Sequence, residues 1–209
     1  EDQSNSSGYS VSMNAAGTIV AIGATRNNND NGSSSGHVRI YENVGGTWIQ
    51  LGGDIDGEAE SDSSGHSVSM NAAGTIVAIG APSNDANGSG SGHVRIYEYT
   101  SGSGSGTWTQ LGGNIDGEAA GDNSGFSVSM NAAGTIVAIG ATDNDANGRY
   151  DLGHVRIYEY TSVGGSGTWT QLGGDIYGEA AYDYSGQSVS MNAAGTIVAI
   201  GANGNGSYS

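Results

Sequence analysis

The chain has 209 residues, 35% of them hydrophobic, with 39 glycines, one proline and no cysteine. A net charge of -16, from 21 acidic residues against five arginines and no lysine, would repel a phosphate backbone, so nucleic acid is not an expected partner. No cysteine means no disulfide framework, and no apolar run is long enough to span a bilayer, so membrane insertion is not expected either.

One fifteen-residue phrase, Ser-Val-Ser-Met-Asn-Ala-Ala-Gly-Thr-Ile-Val-Ala-Ile-Gly-Ala, recurs at 10–24, 67–81, 127–141 and 188–202. Aligning Glu1, Glu58, Glu118 and Glu179 gives periods of 57, 60 and 61 residues, hence repeats at 1–57, 58–117 and 118–178 and a half repeat at 179–209. Length varies only between Gly23 and His37 or their equivalents and between Glu42 and Trp48 or theirs. Insertions are tolerated where backbone is exposed, so these two segments are expected to be surface loops.

Taken in chain order, repeat two predicts four strands. Residues 67–70 alternate polar and apolar, as a half-buried strand does; 75–81 are nearly all apolar or β-branched, as in a strand covered on both sides. Between them Asn71-Ala72-Ala73-Gly74 reads as a tight hairpin with Gly74 left-handed. Residues 93–99 place Val94 and Ile96 on one face and His93, Arg95, Tyr97 and Tyr99 on the other, and 107–111 carry the one tryptophan of the repeat. Four antiparallel strands per unit of about 60 residues fit a propeller blade. The expected fold is all-β, a β-propeller of four-stranded antiparallel blades with three complete repeats plus a half repeat holding strands 1 and 2 only. The Ser-rich strand is expected innermost, where blades crowd.

The pattern Gly-x-Ser-Val, Val-Ala-Ile-Gly-Ala-Pro, a Gly-rich loop, Gly-His-Val-Arg-Ile-Tyr and Gly-Thr-Trp-Thr-Gln-Leu resembles an FG-GAP repeat, the blade unit of integrin-α-type β-propellers, and is most similar to the bacterial and algal extracellular variety. Gly80-Ala81-Pro82 matches the "GAP" directly, while Ser7, Ser64, Ser124 and Ser185 stand where the phenylalanine of "FG" belongs. The resemblance implies an extracellular or cell-surface setting. It also implies calcium in an Asp-rich loop between strands 1 and 2, but that loop here is Asn-Ala-Ala-Gly, so the family's site does not transfer.

In a meander the strand 2 to 3 loops and the strand 4 to 1 connections share one end. Those segments hold 18 of the 21 carboxylates, so that end is expected to attract cations. Calcium ligands are expected among Asp54, Asp56, Glu58 and Asp62, among Asp116, Glu118 and Asp122 with Asn114, and among Asp143, Asp145 and Asn147, where oxygens fall at alternate positions. Solvated turns, with Asp and Asn bonding their own backbone, are the competing account. Asn5, Asn31, Asn87 and Asn205 open N-glycosylation sequons. His37, His93 and His154, each two residues before an arginine, recur at one strand position and read as a structural stripe; no catalytic residue is expected, and no cofactor other than calcium.

The chain begins Glu-Asp-Gln, so a piece processed from a longer precursor is expected, and the half repeat leaves a buried-type strand without its successor. Either the repeats belong to a longer propeller or another copy completes the edge; self-association into a ring or filament is the expectation, with other extracellular proteins or glycans as further partners. The expected function is a non-enzymatic extracellular structural or adhesion module. The alternative is a calcium-dependent carbohydrate- or protein-binding propeller, with Tyr150, Tyr177, Tyr182 and Tyr184 as ring-stacking positions.

Overall fold

The structure is a computed structural model and describes residues 5–102, 106–146, 148–163 and 166–205. Among these residues all regular structure is β, in three full blades and a partial one. Blade 1 contains β1 (Ser7–Met13), β2 (Ile19–Ala24), β3 (His37–Val44), β4 (Thr47–Gln50) and β5 (Ile55–Asp56). Blade 2 contains β6 (Ser67–Met70), β7 (Ile76–Ala81), β8 (His93–Thr100), β9 (Thr107–Gln110) and β10 (Ile115–Asp116). Blade 3 contains β11 (Ser124–Met130), β12 (Ile136–Ala141), β13 (His154–Val163), β14 (Ser166–Gln171) and β15 (Ile176–Tyr177), and the half blade contains β16 (Ser185–Met191) and β17 (Val198–Ala202).

The expected fourth strand is broken in two. In blade 1, β4 runs beside Tyr41 to Val44 and β5 beside His37 and Val38, on the edge of β3 not used by β2. The Leu51 amide, between the two pieces, still donates to the Ile40 carbonyl at 2.8 Å. Asp56 and Asp116, expected in connecting loops, therefore belong to the outer strand.

Each inner hairpin is fixed by its asparagine. Asn71 Oδ1 accepts the amides of Thr75 (2.9 Å) and Ile76 (3.0 Å), and Gly74 takes the turn's left-handed conformation at φ 80°. Asn14, Asn131 and Asn192 make the same pair of bonds, so an identical phrase yields an identical turn four times.

Inner strands meet one another from blade to blade. Ser10 Oγ donates to the Gly65 carbonyl (2.7 Å), and the Met70 amide donates to Ser12 Oγ (3.0 Å); the same bonds recur one blade on, from Ser67 to Gly125 and from Met130 to Ser69. The approach is so close that a Cβ on Gly23, Gly80 or Gly140 would collide with the carbonyl of Gly65, Gly125 or Gly186 in the following blade. Farther out, the indole N–H groups of Trp108 and Trp169 donate to the carbonyls of Leu51 and Leu111 in the preceding blade, both at 2.8 Å.

The core consequently lies between blades rather than inside any one. One slab packs Ala21, Val38, Ile40 and Ile55 of blade 1 against Met70, Val77, Ile79 and Tyr97 of blade 2. A second packs Ala78, Val94, Ile96 and Ile115 against Val128, Met130, Val137 and Ile139. Stacking explains a departure from the alternating pattern expected of 93–99: His93, Arg95 and Tyr97 are buried along with Val94 and Ile96, because both faces of β8 carry a neighbouring blade. Each fully buried isoleucine contributes roughly 1.5–3 kcal/mol of transfer free energy.

Candidate functional site

The site is set by register. β3, β8 and β13 each open on a histidine, paired on one side with the last alanine of the preceding strand and on the other with the short outer segment: His37 with Asp56, His93 with Asp116, His154 with Tyr177. The arginine two residues on shares the histidine's face, because strand side chains alternate. Each of the three complete repeats thus brings imidazole, guanidinium and carboxylate together at the acidic end.

Occupants differ from blade to blade. In blade 1, Asp54 takes Arg39 Nε (3.0 Å) and Nη2 (2.8 Å) and Gln50 Nε2 (2.6 Å), and lies 3.9 Å from His37 Nδ1. Those bonds, led by Arg39, hold its carboxyl below the usual range. The ligand atoms of His37, Asp54 and Asp56 lie within 4.8 Å of one another. Beside them is a cavity of ≈ 270 Å³ lined by Ser7, Ile22, His37, Arg39 and Tyr41, adjoining an apolar hollow of ≈ 290 Å³ formed by Val20, Ile22, Tyr41 and Trp48.

In blade 2, Glu58 reaches from the blade 1 to 2 connection to His93 Nδ1 (3.7 Å) and Arg95 Nη1 (3.3 Å), and Asp116 lies 3.9 Å from His93. In blade 3, Glu118 does the same for His154 (3.8 Å) and Arg156 (3.6 Å), while Asp175 joins them within 4.8 Å. Burial, reinforced by the neighbouring guanidinium, lowers both His93 and His154 to about 4, so both imidazoles are neutral at pH 7. Burial raises the Glu118 and Asp116 carboxyls. For Asp175 burial pulls upward, but hydrogen bonds from Tyr177 (2.7 Å) and Gln171 (2.7 Å) outweigh it and hold the group low. The Tyr177 phenol, donating to that carboxylate, is pushed up to about 12.

The linear calcium sets are divided by this geometry. Asp54 and Asp56 stay with His37, Glu58 crosses to the next blade, and Asp62 turns inward to accept the Ala59 amide (2.9 Å) and Asn84 Nδ2 (3.0 Å). Asp116 faces His93, Glu118 crosses to blade 3, and Asp122 accepts the Ala119 amide at 2.9 Å, while Asn114 receives Gln110 Nε2 at 2.8 Å. Asp143 accepts Asn123 Nδ2 (2.5 Å) and Asp145 accepts the Asp151 amide (2.8 Å); Asn147 lies outside the described residues. Residues two apart in each run face different neighbours, because the backbone steps between blades within the run. Asp62, Asp122 and Asp183 instead close turns, as the competing account of bonded turns requires.

Among the sequon asparagines, Asn5 is buried. Asn31 Nδ2 donates to the Gly57 carbonyl (2.7 Å), and Asn87 Nδ2 to the carbonyls of Gly117 and Glu118 (both 2.9 Å); Asn205 is exposed. A glycan on Asn31 or Asn87 would have to break those bonds.

Two features escaped the sequence reading. Asp175 was not singled out, although it aligns with Asp54; it directly precedes β15, whose Tyr177 pairs with His154. The position occupied by Tyr9, His66, Phe126 and Gln187 differs in every repeat, yet the first three stack at ring separations of 4.9 and 4.7 Å, with Tyr9 Oη 3.0 Å from His66 Nε2 and His66 Nδ1 3.1 Å from the Phe126 carbonyl. The clue was available: an identical phrase follows at a constant offset, so side chains there had to meet across the inner strands.

The chain matches no described protein family and no curated protein. Among solved structures it resembles a candidate 6-phosphogluconolactonase from Bacteroides fragilis at 12% identity and a TM-score of 0.55, covering 91% of this chain and 40% of that one. A second, from Bacteroides uniformis, gives 8% identity and a TM-score of 0.55 over 91% of this chain and 46% of the other. This chain spans less than half the length of either structure, and at such identities the likeness establishes a shared fold alone. The name that both carry is an enzyme's, which corrects the expectation of a non-enzymatic adhesion module. It is the propeller architecture that the comparison supports, and no FG-GAP kinship comes with it.

Proposed function

We propose that the chain forms part of a propeller hydrolase that opens a cyclic ester, with blade 1 supplying the reacting groups. The observation that carries this reading is the blade 1 cavity, where Ser7, His37, Arg39 and Tyr41 line one volume beside Asp54 and Asp56. The lactonase name of the two structural neighbours supports the same chemistry. Tyr41 and Trp48 offer an apolar wall for a sugar ring. At the other end a base from the His37 and Asp56 pair takes a proton from water as its oxygen adds to the ester carbonyl. Arg39, held in place by Asp54, donates toward the developing oxyanion. The ring C–O bond then breaks and the leaving oxygen takes up the proton. A net charge of -16 and an Arg39 already engaged by Asp54 favour a neutral sugar lactone over a phosphorylated one.

We further infer that the blade unit is of the FG-GAP type and works outside the cell, on the strength of its Gly-Ala-Pro and Gly-His-Val-Arg-Ile-Tyr segments. The functional test is proton release from a neutral aldonolactone and from its 6-phosphate. The expected result is acceleration of the neutral substrate, reduced at least tenfold in His37→Gln and Asp56→Asn. Ring opening no faster than in buffer for both substrates would overturn the proposal.

A further inference from the structure

The geometry points to a divalent-metal site at the junction of blades 2 and 3, formed by His154, Glu118 and Asp175, and we propose that it takes a borderline transition ion such as zinc or cobalt rather than calcium. The site is separate from the blade 1 cavity and does not depend on lactone hydrolysis. Three donors from three segments converge there: the first residue of β13, the connection entering blade 3 and the segment preceding β15. Their ligand atoms lie within 4.8 Å of one another, and His154 Nδ1 is 3.8 Å from Glu118 Oε2. A tetrahedral ion with bonds of about 2.1 Å sets its ligand atoms about 3.4 Å apart, so a small contraction completes the arrangement.

A second observation is independent of the carboxylates. His154 is fully buried, and neither of its ring nitrogens has a hydrogen-bond partner. Buried polar atoms are nearly always paired, and an orphan of this kind is accounted for by an ion or water at that point. With no hydrogen bond occupying it, Nδ1 is free to serve as the ligand atom that faces the two carboxylates. The surrounding bonds leave room for coordination: Arg156 approaches the other oxygen of Glu118, Oε1, at 3.6 Å, while Tyr177 and Gln171 orient Asp175 from outside, as partners of a metal-bound carboxylate do.

Comparison with the other blades selects this junction. In blade 2 the position of Asp175 is Asn114, whose amide lies 3.4 Å from Glu58 Oε2. In blade 1 the equivalent Asp54 is held at both oxygens by the Arg39 guanidinium, a cation that competes with a metal, whereas Asp175 takes the neutral donors Tyr177 and Gln171. A mixed donor set of one imidazole and two carboxylates suits zinc and its neighbours, whereas calcium takes oxygen alone.

The test is titration of the full chain with Co²⁺, followed by its visible absorption, and with Zn²⁺ by calorimetry. One tightly held ion is expected, with intensified Co²⁺ bands of a low-coordinate nitrogen and oxygen site. Asp175→Asn and Glu118→Gln should each weaken binding at least tenfold, and the exposed control Glu98→Gln should leave it unchanged. His154→Gln should abolish the bands; should that variant not fold by circular dichroism, the two carboxylate variants decide, since both side chains are partly exposed. Equal affinity in Asp175→Asn and Glu98→Gln, or a Co²⁺ spectrum identical to that of the aquo ion, would overturn the proposal. So would Ca²⁺ binding as tight as Zn²⁺ binding.

Discussion

Blades 1 and 3 use nearly the same residues to make different surroundings. His37, Arg39, Tyr41 and Trp48 repeat as His154, Arg156, Tyr158 and Trp169. In blade 3 that face is pressed against blade 2: Tyr158 is buried, Arg156 Nη2 donates to the Asp116 carbonyl at 2.8 Å, and the indole of Trp169 reaches Leu111. In blade 1 no preceding blade among the described residues lies against that face, Trp48 is 43% exposed, and cavities border it. The far end shows the same effect, since Ile176 is 39% exposed where its equivalents Ile55 and Ile115 stand at 5% and 4%. A repeat thus specifies a blade, while the neighbouring blade decides whether a given side chain is core, site or surface.

That contrast can be broken or sharpened, and pH offers the widest separation. In the unfolded chain His93 and His154 titrate near 6.5, whereas folded they titrate near about 4. Between those values the unfolded chain holds protons the fold excludes, so the associated stability is complete above about 6.5 and is lost as pH falls toward about 4. Urea denaturation at steps from pH 7 to 4 should show this decline. His93→Gln and His154→Gln together should flatten it; an equally steep decline in the double variant would place the proton uptake elsewhere.

Next in size is the isoleucine repeated at Ile22, Ile79, Ile139 and Ile200. Ile139→Ala should cost about 3–4 kcal/mol, because it opens a cavity inside the slab between blades 2 and 3. Ile22→Ala, at a half-buried position, should cost about half as much, and equal losses would show that burial by the neighbour is not what matters. Glycine provides a third comparison. Gly140→Ala drives a Cβ into the carbonyl of Gly186 and should cost about 2 kcal/mol, whereas Gly201→Ala meets only the movable hydroxyl of Ser188 and should cost well under 1 kcal/mol by thermal melting. The smallest expected effect is that of the indole hydrogen bond. Trp169→Phe should lose about 1 kcal/mol and Trp48→Phe close to nothing, with matching losses telling against the interblade bond as the cause.

The blade itself was legible because its signals are local. Alternation in Ser67–Met70, the apolar run of Ile76–Ala81 and the Asn-Ala-Ala-Gly turn each act over a few residues, and each appears where expected. The gathering of carboxylates at one end was also legible, since a meander dictates which loops share an end; backbone bonds from Ser61 to Ser33 and from Ser64 to Ser35 join those loops. The site was not. Asp54, Asp56, Glu58 and Asp62 are close in sequence, yet they serve two blades and a turn. His154, Glu118 and Asp175 lie far apart in sequence and meet only through register and stacking.

From the sequence alone came the repeat boundaries, the all-β blade, its inner hairpin and the sign of the charged end, because backbone propensity and period-2 patterning need only near neighbours. Tertiary structure alone decided which histidines are buried and neutral, which carboxylates face them, and why Gly23, Gly80 and Gly140 admit no side chain. The physical reason is that a single blade cannot bury its own faces. Its core, its desolvated imidazoles and its candidate sites come into being only where a second blade removes the water.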